Sequence, residues 1–150
     1  MDVVKCFGQA EPEVSSGTMR HHSDKVLEIL RPRLTNLGFV VENREQKQVI
    51  KVPVLFGKNG RLDKHFNVDA WHEAENTVLE IEAGRAKTNY QFLKDLFEAC
   101  AMVDVKYPAI AVRKVYRRNK DFDDVLAFFD TIYASGRLGI PLDGVMIIGY

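Results

Sequence analysis

A mixed β-sheet with helices packed on its faces, an α/β fold, is what the sequence predicts, and three features predict it. A helical stripe opens the patterned part of the chain, a turn-rich series of strand-like runs follows, and the last third alternates helix and strand. A meander followed by helical crossovers places antiparallel and parallel neighbours in one sheet. The expected order is αβββαβαβ.

Residues 1–22 mix Gly, Ser, Pro and Glu without a period and are expected to form a flexible arm, leaving residues 23–150 as a single domain. From Ser23, Val26, Leu27, Leu30, Leu34 and Leu37 follow helical spacing, Pro32 predicts a kink or break, and Gly38 is placed to end the helix. Gly38–Asn43 and Val49–Phe56 read as strands, with Pro53 suggesting an edge or a bulge and Gly57–Gly60 a turn. The next two strands, around His65–Trp71 and Thr77–Ala83, are joined by the hairpin loop EAEN. Thr88 and Gln91 have capping-box spacing, and Phe92, Leu93, Leu96, Phe97, Cys100 and Val103 continue as a helical stripe. Tyr107–Arg113 reads as a buried strand, about Phe122–Ala134 as a helix stopped by Gly136, and Val145–Tyr150 as a closing strand.

Composition narrows the function. The 150 residues, 46% hydrophobic and 28% charged, suit one globular domain, and 21 basic against 21 acidic side chains leave no global field to draw nucleic acid or anionic lipid. Any such partner must be held by a local patch. Cys6 and Cys100 lie far apart with no secretory leader before them, so a reducing cytoplasm is expected, and no apolar run is long enough to span a bilayer.

Counting back from a His72–Thr77 pair places Asp69 across from Glu80. Alternation then projects Asn67, Asp69, Glu80 and Glu82 to one side and Phe66, Val68, Ala70, Leu79, Ile81 and Ala83 to the other. Opposed like charges destabilise a sheet, so either the acids are solvated and paired with Lys or Arg, or a cation sits among them. Oxygen ligands alone suit Mg²⁺ or Mn²⁺ better than zinc, and His65 and His72 supply no zinc set.

An acid on one strand of a hairpin meander, an acid-x-acid on the next, and a following helix resemble the PD-(D/E)XK, restriction-endonuclease-like nuclease superfamily, in its Glu-x-Glu variant. The resemblance covers about Ser23–Arg113 and implies an αβββαβ core, to which this chain adds a C-terminal αβ unit. It also implies Mg²⁺- or Mn²⁺-dependent hydrolysis of DNA phosphodiesters, in restriction, defence or repair. Asp69 resembles the first acid and Glu80 the second; Glu82 stands where the usual Lys would be, and would position or deprotonate water or hold a second metal. The compensating cation is then expected from Arg85, or from Lys87 or Lys94. Glu28, the acid of the first helix, falls opposite that helix's apolar face and is expected to be solvated.

The loop RKVYRRNK offers Arg113, Lys114, Arg117, Arg118 and Lys120 to phosphates and Tyr116 for stacking; a solvated connector would look the same. A smaller basic segment, Lys58–Lys64, leads into the Asp69 strand. DNA is the expected partner, RNA is left open, and cleavage of both strands would call for a homodimer. The competing readings are a catalytically degenerate relative that binds nucleic acid or protein, and a carboxylate-pair glycosidase, for which only Trp71 offers a sugar platform.

Overall fold

The structure, a computed structural model, describes residues 2–15, 19–84, 86 and 90–150. Its helices are α1 (Val3–Val14), α2 (Ser23–Asn36), α3 (Gln91–Ala101) and α4 (Asp121–Ser135). Its strands are β1 (Val40–Val41), β2 (Ile50–Phe56), β3 (Leu62–Val68), β4 (Ala70–His72), β5 (Thr77–Glu82), β6 (Ala109–Val112) and β7 (Met146–Gly149). A mixed five-stranded sheet runs in the order β1-β4-β5-β6-β7, while β2 and β3 pair only with each other. The first three neighbours are antiparallel and β5, β6 and β7 are parallel, so the chain is α/β.

Five strands precede α3, one more than the four runs read as strands and two more than the expected order αβββαβαβ. The excess comes from β2 and β3, which form a ribbon of their own; without them, α2, β1, β4, β5, α3, β6, α4 and β7 follow the expected order. The expected single strand through Asp69 divides there for a physical reason. Val68 still pairs with Ile50 in the ribbon, whereas the Asp69 carbonyl accepts from Glu42 N–H at 2.8 Å and its Oδ2 accepts from Ile81 N–H at 2.8 Å. Residue 69 therefore belongs to the main sheet, and the alternation is reset. Val68 packs beside Val78, Ala70 packs beside Leu79 on the opposite face, and Asn67 moves to the ribbon's outer side.

Both faces of the sheet are covered. Leu79, Ile81, Ala109, Ala111 and Ile148 pack beneath α1 and α2, and Ile110 and Val112 beneath α3 and α4. A third apolar group joins Ile50, Val52 and Val68 at the ribbon's root to Val78, Ala99, Met102 and Val105. The hairpin register holds as expected, with His72 opposite Thr77 and the EAEN turn closed by Asn76 at φ 52°.

The expected flexible arm is instead helix α1 as far as Val14, with Val3, Cys6, Phe7, Ala10 and Val14 buried. Those positions have helical spacing, masked in the sequence by Gly8 and Pro12. Their helix penalties of about 1 and 3 kcal/mol are outweighed by burial of Val3, Phe7 and Val14 at about 1.5–3 kcal/mol each. Helix α2 runs through Pro32 without a break and stops before Gly38, whose φ of 99° suits a residue lacking Cβ. Tyr90 precedes α3 and gives no side-chain cap, and Thr88, the expected capping residue, lies outside the described residues. Phe97, expected in the α3 stripe, is 64% exposed. No described helix is long and apolar enough to cross a membrane.

Candidate active site

Strand β5 sends Leu79 and Ile81 toward α1 and α2 and, by alternation, Glu80 and Glu82 toward α3. Asp69 reaches the same strand from the bend before β4, its carboxylate fixed by the Ile81 N–H. A fourth acid joins them from α3. Asp95 is only 6% exposed, and its Oδ2 is buried with no hydrogen-bond partner among the described residues. Asp95, absent from the expected site residues, interrupts the buried stripe Phe92, Leu96, Ala99 at an i, i+3, i+4, i+7 position. An acid at an otherwise apolar position is the signal that could have found it.

Electrostatics ties the four together. Burial, then the charges of Glu42 and Glu82, pushes the Asp69 carboxyl up to about 7 against the opposing Ile81 hydrogen bond. Burial, then Glu82, pushes Asp95 up to about 8, with Lys94 pulling the other way. Burial, then Asp69 and Asp95, holds Glu80 well above the usual carboxylate range. Among the described residues none of Asp69, Glu80 and Asp95 forms an ion pair, so the solvated, salt-bridged face does not describe these three. Lys94 opposes the charge of Glu80 and Asp95 and Arg44 that of Asp69, and Lys94 Nζ lies 3.1 Å from Glu98 Oε1. Arg85 and Lys87, the other expected cations, lie outside the described residues.

The donors are all carboxylate oxygens, the chemistry a hard divalent ion takes, and one buried oxygen lacks a partner. No group of three or more His, Cys, Asp and Glu side chains among the described residues already converges to hold a metal ion. Ligation would require side-chain rotation. His72 is not available to it, because Nε2 lies 2.9 Å from the Leu37 carbonyl and Nδ1 accepts from Glu75 N–H. Glu28 is exposed and paired with Lys25, as expected.

The basic loop follows β6, whose Val112 pairs with Glu82 in the parallel ladder, so it starts beside the acids. Lys114, Arg117, Arg118 and Lys120 are exposed. Arg113 is not the free loop cation expected: it is 6% exposed, donates to the His21 carbonyl and bonds the Tyr150 hydroxyl. Tyr116 is half-buried with its ring against Gly84, and Arg113 and Arg117 lie 5.8 and 5.4 Å from the ring centroid. The loop is thus pinned to the end of β5 while its outer cations face solvent.

Comparison with protein-family models, curated proteins and solved structures finds no match.

Proposed function

We propose that this chain is a metal-dependent nuclease of the PD-(D/E)XK kind that hydrolyses DNA phosphodiester bonds. One observation carries the reading: the carboxyls of half-buried Asp69 and Glu80 and of buried Asp95, without an ion pair among the described residues, face one another's charge between β5 and α3 beside a loop rich in cations. The order of α2, β1, β4, β5, α3 and β6 supports it, as does the acid before β4 followed by Glu-x-Glu on β5.

Asp69 and Glu80 would hold Mg²⁺ or Mn²⁺, with Asp95 as a further oxygen donor. When bound, such an ion polarises the phosphate and lowers the pKa of water. The Ile81 N–H keeps the Asp69 carboxylate aimed into the site. Glu82 is the candidate to orient water or take its proton. Lys94 opposes the negative charge, in part replacing the absent motif Lys. Lys114, Arg117, Arg118 and Lys120 would grip phosphates, with the Tyr116 ring packed beneath them.

Supercoiled plasmid incubated with the protein and Mg²⁺ or Mn²⁺ should be nicked or linearised, and Asp69→Ala and Glu80→Ala should each stop the reaction. Cleavage undiminished by both substitutions contradicts the assignment. Linear product without prior nicking, together with a dimer by light scattering, would fit a homodimer cutting both strands.

Glu82 in place of the motif Lys, and a net charge of zero, motivate a second reading, a catalytically degenerate relative that only binds. It predicts DNA retention without cleavage and no melting-temperature response to Mn²⁺.

A further inference from the structure

The β2–β3 ribbon is anchored at one end and bare at the other. Ile50, Val52 and Val68 are buried at its root, and Val103 N–H donates to the Pro53 carbonyl at 2.8 Å. Beyond that root, every residue from Leu55 to His65 is exposed. The register shifts between Pro53 and Leu55 and again before Phe56, a bulge that brings Leu55 opposite Lys64 and Phe56 opposite Leu62. Leu55, Phe56 and Leu62 are 56%, 54% and 38% exposed. Around them stand Lys58, Arg61, Lys64 and His65 against the single acid Asp63, in a chain whose net charge is zero. Among the described residues none of Lys58, Arg61 and Lys64 is held by an ion pair.

We propose that this ribbon is a DNA-binding arm that enters a groove of the double helix, with Lys58, Arg61 and Lys64 on phosphates and Leu55 and Phe56 against the duplex. The concentration of positive charge selects a polyanion, and a β-ribbon in the major groove can set apolar side chains against thymine methyls while flanking cations hold phosphates. Its width selects a duplex: two strands about 4.8 Å apart enter a major groove roughly 12 Å wide. Single-strand binders rely on successive aromatic platforms, and Phe56 is the only aromatic ring at this tip apart from His65. The seven residues of β3 span about 23 Å and end beside Asp69, so an arm seated in a groove would stand next to the acids. The proposal shares with the nuclease reading only the choice of DNA and stands without cleavage.

Labelled duplex and single-stranded DNA of one sequence, titrated with the full chain in EDTA across about 50–200 mM salt, test it. The chain should bind duplex more tightly than single strand. Replacing Lys58, Arg61 and Lys64 together by Ala should weaken duplex binding at least about tenfold and lower the salt slope by about 2–3. Phe56→Ser should weaken it several-fold and leave the slope unchanged, since an apolar contact releases no counterions. All these positions are exposed, so melting temperatures should not move. Wild-type affinity in the triple variant, equal affinity for both DNA forms, no duplex binding, or a dimer that Phe56→Ser dissociates would each overturn the proposal. Plasmid cleavage is scored separately: cleavage with an inert ribbon rejects the arm alone, and ribbon-dependent binding without cleavage rejects the nuclease alone.

Discussion

Asp69 does two jobs that substitution can separate. Its Oδ2 satisfies the Ile81 N–H, and its charge adds to a crowd of anions. Asp69→Asn keeps an acceptor and removes the charge, so unfolding in urea at pH 8 and in EDTA should show stability raised by about 1–2 kcal/mol. Asp69→Ala strands the Ile81 N–H and should cost about 1–3 kcal/mol, and neither variant should cleave DNA. Loss of several kcal/mol in Asp69→Asn would instead make the carboxylate a structural anchor. Arg113 contrasts with its neighbours in the same way. Arg113→Ala removes the donor to the His21 carbonyl and one bond to the Tyr150 hydroxyl, which still donates to the Glu82 carbonyl, and should cost about 1–3 kcal/mol in the same assay. The exposed pair Arg117 and Arg118, replaced by Ala, should leave stability unchanged and lower the salt slope of DNA binding by about 2.

Between β5 and the loop after β6, Gly84 lets one element rest on another. Its φ is 105°, and a Cβ there would lie 2.2 Å from the Tyr116 ring, so Gly84→Ala must displace the ring and strain the backbone. The melting temperature should fall by several degrees, and loop residues should lose protection in hydrogen exchange while β6 does not. This contact was not legible in the sequence, because Gly84 and Tyr116 meet only through the parallel pairing of β5 and β6. The β4–β5 register was legible, since EAEN fixes His72 against Thr77 and period-two alternation does the rest. Alternation misled at Asp69, where a side-chain acceptor for Ile81 N–H bends the strand and reverses the faces of Phe66 and Val68. The α3 stripe was recognised with Phe97 wrongly included and Asp95 left out, because buried acids are rare enough to be read as surface. Helix α1 was lost to its Gly and Pro, although Val3, Cys6, Phe7, Ala10 and Val14 already kept the period.

For the whole molecule, the raised carboxyls set how stability follows pH. A group whose folded pKa exceeds its unfolded value contributes stability in full below the unfolded value and loses it as pH rises through the folded one. Asp69 and Asp95 start from 3.8 and reach about 7 and about 8, so the metal-free chain should lose stability from about pH 4 to about pH 8. Glu80 acts in the same direction. Thermal melting in EDTA at successive pH values should show this decline, and Asp95→Asn should flatten its upper part. A divalent ion that binds the ionised carboxylates opposes the decline, more so at higher pH.

Whether these carboxyls are kept for a cation is therefore decided most directly by the melting temperature at pH 8 with and without Mn²⁺, in the wild-type chain and in Glu80→Gln. If the carboxyls hold a cation, Mn²⁺ should raise the wild-type value by several degrees in a concentration-dependent way, and Glu80→Gln should abolish the rise. No rise in the wild type, or an equal rise in Glu80→Gln, would contradict that role.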